Sequence, residues 1–377
     1  MRERLQFIDL HRAIVILVMI EVHVFNAFMQ PALRTTDWFR HLNFINGLVA
    51  PSFLFITGFV FILTTEKKID EYRKFKSVFW KQLGRILMIL LVGYSMRWNL
   101  YTLKNMVYYF SPESWADFFK VDVLHTIAIG LLVLFSFRLA AISNNFLKWL
   151  MVSIAVITGI ISPWVYSINF HTFLPWGIAN YFNLKGGSLF PLFPWLTFIF
   201  AGGAIAAFFR EVKADAGRTS KYFNSIGLGG FIAIILGHLL FTSSSPIFIE
   251  VPQPNFFFLM ARVGYVVVIF YLCWFISQKF DFSKSTLMDV SKFSLQIYWI
   301  HLMIIYKNLW ANRSLHQIVQ NSLNPYECTL ATGLMILIVQ DMSIVWNRVK
   351  DNHPVIGVYV GRLVIILPLL YWLIYWM

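Results

Sequence analysis

Five ionisable side chains, Asp9, His11, Arg12, Glu21 and His23, fall within one apolar run from Phe7 to Met29. A helix of about 20 residues crosses the roughly 30 Å hydrocarbon layer of a bilayer, and charge inside it is costly, so each of these groups marks a functional hypothesis. Arg12 and His23 stand eleven positions apart. At about 100° per residue they project from one face, roughly 16 Å apart along the axis. Asp9 shares that face, and Glu21 points nearly the opposite way. A guanidinium binds phosphate oxygens bidentately, although snorkelling to the membrane surface is its purely structural use. An imidazole titrates near neutrality, which suits general-base work on a hydroxyl or amine, or service as an acyl carrier. An anion clamp and a base strung along one stripe suit acyl transfer.

Three further groups join this candidate site. His125 lies in VDVLHTIAIG three positions after Asp122, which allows a carboxylate–imidazole pair or a helix-start arrangement. His301, in LQIYWIHLM, falls near the middle of another apolar run, either lining a site or tying helices together by a hydrogen bond. Lys67, Lys68 and Arg85 belong to a basic stretch able to bed phosphates. Asp341, Gln340 and Arg262 also sit within apolar runs, where structural ion pairing is their expected use. His171 and His238 read as membrane-interface residues. The histidines show no His-x-x-x-His spacing and no carboxylate-rich company, so no metal site is expected.

The elements that must position these groups are membrane helices. Of 377 residues, 58% are hydrophobic, 18% aromatic and only 13% charged, and the mean hydropathy is +0.66. That balance excludes an ordinary soluble domain and indicates an all-α polytopic membrane protein. Apolar runs predict eleven spans in one integral-membrane domain over 1–377, at 8–29, 42–63, 83–100, 121–141, 146–168, 189–209, 223–242, 256–277, 291–310, 327–347 and 355–376. Alternate loops carry seventeen Lys and Arg, among them Lys67, Lys68, Arg73, Lys74, Lys76 and Lys81. The opposite loops carry six: Arg34, Arg40, Lys104, Lys120, Lys185 and Arg313. The N-terminus is therefore expected in the cytoplasm and the C-terminus outside the plasma (inner) membrane. The net charge of +13 reflects these loops and lipid headgroups, not nucleic acid. The two cysteines, Cys273 and Cys328, match no disulfide framework.

Two outer segments are longer than a turn requires. One, 98–120, is aromatic and mildly amphipathic; the other, 169–188, mixes aromatics with Asn, Pro and Gly, as a membrane belt or a sugar site would. In APSFLFITG, small residues and Gly58 permit close helix approach. In GGSLFPLFPWLTFIFAGG, Pro191 and Pro194 are expected to bend or delay the start of a span.

Taken in order, RLQFIDLHRAIVILVMIEVH, APSFLFITG, VDVLHTIAIG, FPLFPWLTFIFAGG and SLQIYWIHL make the chain resemble the transmembrane acyltransferases that modify cell-surface sugars. It most resembles the heparan-α-glucosaminide N-acetyltransferase-like branch, related to the acyltransferase 3 proteins. The resemblance implies acetyl-coenzyme A as a cytoplasmic donor substrate and a hydroxyl or glucosamine amine of an extracytoplasmic glycan or glycolipid as acceptor. It carries over Arg12 and His23 as the principal pair, with His125 and His301 behind them. Two departures stand out. Ala13 replaces the glycine usual after the arginine, and no outer domain is expected ahead of the first span, so heparan is not the expected acceptor. A homodimer is among the assemblies this reading allows. The rival class is a proton-coupled transporter or flippase, in which intramembrane His and Asp would couple to protons. Such folds show paired broken helices, whereas one Pro-rich span start stands alone here.

Overall fold

A computed structural model describes residues 5–98, 102–242, 255–283 and 285–357, with 359, 360, 363 and 370. The long helices among them are α1 (Gln6–Phe28), α2 (Asp37–Asn46), α3 (Val49–Thr65), α4 (Ser77–Arg97), α5 (Val123–Ala140), α6 (Asn144–Ser167), α7 (Leu192–Val212), α8 (Ala216–Thr242), α9 (Phe256–Ser277), α10 (Ser294–Tyr306) and α11 (Pro325–Asn352). Among the described residues, eight helical stretches are long and apolar enough to cross a membrane. No strand forms among the described residues; only two isolated bridges occur. The protein is therefore all-α and polytopic. The expected span at 355–376 lies largely outside the described residues, as do residues 99–101 of the segment 98–120.

Helix starts follow local chemistry. Asp122, Ser143, Asn255 and Asn324 cap α5, α6, α9 and α11 through side-chain oxygens that accept backbone N–H groups. Pro325 occupies the first turn of α11, where its missing N–H costs nothing. The run 42–63 divides into α2 and α3 around Gly47 and Leu48. The α7 start is broken at Phe193, whose φ of −96° and ψ of 125° are extended, as the residue before a proline prefers. The backbone there is satisfied by protein. Leu192 N–H donates to the Tyr181 carbonyl at 2.7 Å, and both Leu189 and Phe190 N–H reach the Val121 carbonyl.

The chain forms two compact units. One comprises 1–11, 47–95 and 119–281; the other comprises 12–46, 96–118 and 282–377. In the first, α3 and α7 approach backbone to backbone. A Cβ added at Gly58 would sit 1.9 Å from the Ile199 carbonyl oxygen, and one added at Gly202 would sit 1.9 Å from that of Phe55. Without a hydrophobic drive between spans in lipid, such small-residue seams supply the van der Waals contact that joins helices. Phe7, Phe59, Phe209, Phe223 and Phe270 build an aromatic core beside this seam, with Phe7 ring centroids 5.3–6.3 Å from the other four. Edge-to-face rings of this kind add to their area burial. The second unit contains α1 from Arg12 onward, α2, α10 and α11.

Candidate active site

The face of α1 that carries Arg12 and His23 is turned onto α10. Arg12 Nη2 donates to Ser294 Oγ at 2.5 Å, at the start of α10. His23 sets its ring 5.2 Å, centroid to centroid, from the ring of His301, with an interplanar angle of 47°. Ser294 and His301 are seven positions apart, about two turns, so they share a face of α10. The two helices thus run parallel past one another, with the cation at one level and the imidazoles at another.

At the imidazole level the two rings differ in exposure, His23 being half-buried. His301 is fully buried. Its Nδ1 lies 2.6 Å from the Ile297 carbonyl and donates to it, because a carbonyl can only accept. Tyr298 stands edge-on to His301 at 5.9 Å, and Tyr306 edge-on to His23 at 6.1 Å. The Tyr306 hydroxyl also reaches the His23 carbonyl at 3.5 Å. Ser294, Tyr298 and Tyr306 escaped the sequence reading. Only the seven-residue step from Ser294 to His301, matched against the Arg12–His23 stripe, could have signalled one of them.

The other candidates stand elsewhere. His125, buried in the first unit, accepts the Asp122 backbone N–H on Nδ1 at 3.1 Å. The Asp122 carboxylate accepts the Val123 N–H at 2.7 Å, completing a capping box. The spacing of this pair thus serves the helix start, not a direct carboxylate–imidazole bond. Its ring meets Tyr94 at 4.3 Å, and the Tyr94 hydroxyl lies 3.2 Å from that of Tyr181. Lys67 and Lys68 lie in the 3-10 turn Glu66–Lys68, and Arg85 is exposed on α4, all in the first unit. Their neighbour Glu66 pairs instead with Arg210 at 2.7 Å and Lys213 at 3.1 Å. Among the described residues no group of three His, Cys, Asp or Glu side chains is placed to hold a metal.

Glu21 faces away from His23, as its position on the helix requires. It accepts from Asn46 Nδ2 at 3.4 Å and borders an open cavity of about 490 Å³ with Phe25, Trp38, Leu42, Ile45 and Pro325. Glu21 Oε2 and Asn46 Oδ1 are buried with no hydrogen-bond partner among the described residues.

A family model described as heparan-alpha-glucosaminide N-acetyltransferase, catalytic, matches residues 4–230. The chain belongs to this N-acetyltransferase family. No curated protein matches it. The matched stretch of this membrane acetyltransferase-family chain includes Arg12, His23, Lys67, Lys68, Arg85 and His125, whereas Ser294 and His301 lie beyond it.

Proposed function

We infer that the chain moves an acetyl or other short acyl group from cytoplasmic acyl-coenzyme A to a hydroxyl or amine of an extracytoplasmic glycan. The observation that carries this reading is the placement of His23 beside His301, on the α1 face whose Arg12 is bonded to the same helix, in a chain of an N-acetyltransferase family. His23 takes the proton of the acceptor O–H or N–H as that atom attacks the thioester carbonyl. A C–O or C–N bond forms, the C–S bond breaks, and the coenzyme thiolate recovers the proton. In a two-step route the acyl group rests first on the His23 ring, and isolation of acyl-His23 after donor alone would exclude direct transfer.

Arg12 is assigned to the donor's phosphates, with its guanidinium plane oriented by Ser294. Lys67, Lys68 and Arg85 are assigned to the same anionic donor on their charge, and His125 is kept as a subsidiary candidate. The excess of basic residues in alternate loops favours an inner-membrane protein with its N-terminus in the cytoplasm.

The test is turnover of acetyl-coenzyme A with amino-sugar and neutral-sugar acceptors by the purified protein, read as free thiol. His23→Ala should lower kcat by roughly 10²- to 10⁴-fold, the span of general-base catalysis. Coenzyme A should still raise the thermal midpoint of this variant. Unchanged turnover would remove His23 as the base. Absence of both turnover and coenzyme binding in the native protein would leave proton-coupled transport as the reading.

A further inference from the structure

The second imidazole has its own task. We propose that His301 is a positioning residue that decides which nitrogen of His23 carries a proton, thereby leaving the other nitrogen bare to act as base or nucleophile. This rests on the reading of His23 given above.

The argument begins at the Ile297 carbonyl. It accepts from His301 Nδ1 at 2.6 Å, so in the neutral ring Nδ1 bears the hydrogen and Nε2 holds a lone pair. That Nε2 is buried and has no partner among the described residues. A buried acceptor without a donor is rare enough to demand an explanation. What it needs is an N–H or O–H, and the ring beside it is that of His23, 5.2 Å away between centroids. Two imidazoles joined by an N–H···N bond of about 2.9 Å have centroids about 5 Å apart. The observed ring separation is of that size, and the terminal torsion of a histidine is broad enough to bring the two nitrogens into line.

Once closed, the bond fixes the His23 tautomer. The nitrogen facing His301 must donate, because Nε2 can only accept. The far nitrogen of His23 is then bare and able to take the acceptor's proton. When it does so, His23 becomes an imidazolium and its bond to His301 becomes charge-assisted, the stronger kind. The proton later leaves from the same far nitrogen to the thiolate, so the pair ends as it began. Titratable groups packed against it are Tyr298 and Tyr306 of α10, with His316 6.0 Å beyond Tyr306. Among the described residues no carboxylate bonds either imidazole, so the orienting role that an acid fills in many hydrolytic triads falls here to a neutral ring.

Two substitutions separate positioning from packing. His301→Gln retains an amide oxygen near the place of Nε2, whereas His301→Asn keeps a donor for the Ile297 carbonyl and offers nothing to His23. In the thiol-release assay Gln should retain kcat within about 10-fold, and Asn should lose about 100-fold or more with KM for acetyl-coenzyme A little changed. The acidic limb of the kcat–pH profile should move to lower pH in Asn, since the imidazolium has lost its acceptor. On the unmodified protein, nitrogen NMR of labelled histidine should show His301 protonated at Nδ1 and bare at Nε2. Equal losses in the two variants, or a His301 proton found on Nε2, would overturn the proposal even with His23→Ala inactive. An active His23→Ala variant instead removes the base itself, a failure that cannot be confused with the first.

Discussion

Arg12 and Ser294 are joined at 2.5 Å, a guanidinium of α1 donating to a hydroxyl on the first residue of α10. The bond orients the arginine plane at one level of the helix pair whose other level holds His23 and His301. Removing a hydrogen bond to a charged group costs about 1.5–3 kcal/mol. Ser294→Ala should therefore raise KM for acetyl-coenzyme A by roughly 10-fold or more while changing kcat little. Arg12→Lys should fare worse than a conservative exchange suggests, because an ammonium cannot hold phosphate bidentately. Initial-rate kinetics with varied donor decide the matter.

The seam between α3 and α7 is equally explicit. Gly58→Ala or Gly202→Ala drives a methyl to 1.9 Å from a carbonyl oxygen on the facing helix, and neither backbone can rotate away. The helices must part, so each variant should lose about 1–3 kcal/mol or more, seen as a lowered thermal midpoint in detergent. Gly84 and Gly229, by contrast, have no heavy atom within 4 Å of an added Cβ. Alanine there should be neutral or stabilising by up to about 1 kcal/mol.

Much of this was legible in the residues. The apolar run 256–277 coincides with α9, and 8–29 differs from α1 by two residues at the N-terminal end and one at the C-terminal end. The 100° step alone placed Arg12 and His23 on one face, and both indeed meet α10. Hydropathy could not see the break between α2 and α3, because the run from Phe44 to Phe55 stays apolar on average despite Asn46, Gly47 and Ser52. Nor could periodicity name the partner of the stripe, since which helix packs against α1 is decided by contacts distant in sequence. The i, i+3 step from Asp122 to His125 carried two meanings, and position at a helix start selected the capping box.

Glu21 and Asn46 allow a test of buried polarity. Their single bond leaves two buried acceptor oxygens, Oε2 and Oδ1, without donors among the described residues. Glu21→Gln supplies an amide donor in almost the same shape and withdraws a carboxylate from an apolar setting. It should leave the thermal midpoint unchanged or raise it. Asn46→Leu removes the one donor that Glu21 has and should destabilise by about 1–3 kcal/mol. A fall in midpoint for Glu21→Gln would mean that a negative charge at this cavity is needed.

The segment 169–188 is expected to respond to pH through His171. Its ring lies 4.1 Å from that of Trp176, both ring nitrogens lack partners among the described residues, and burial lowers its pKa from the ordinary histidine value. The unfolded chain therefore binds a proton more readily than the folded one in the window from about 6.5 downward. Stability from this group is complete above that value and is lost as the pH falls toward the folded value. The segment is otherwise pinned, with Asn183 Nδ2 donating to the Val165 and Ile168 carbonyls at 3.1 and 2.7 Å and Asn180 Nδ2 to the Phe119 carbonyl at 3.0 Å. Loss of stability should thus be local. Proteolysis of this segment should increase between pH 7 and pH 5 in the native protein, and His171→Gln should flatten the dependence. An identical acid response in both would assign it to other groups.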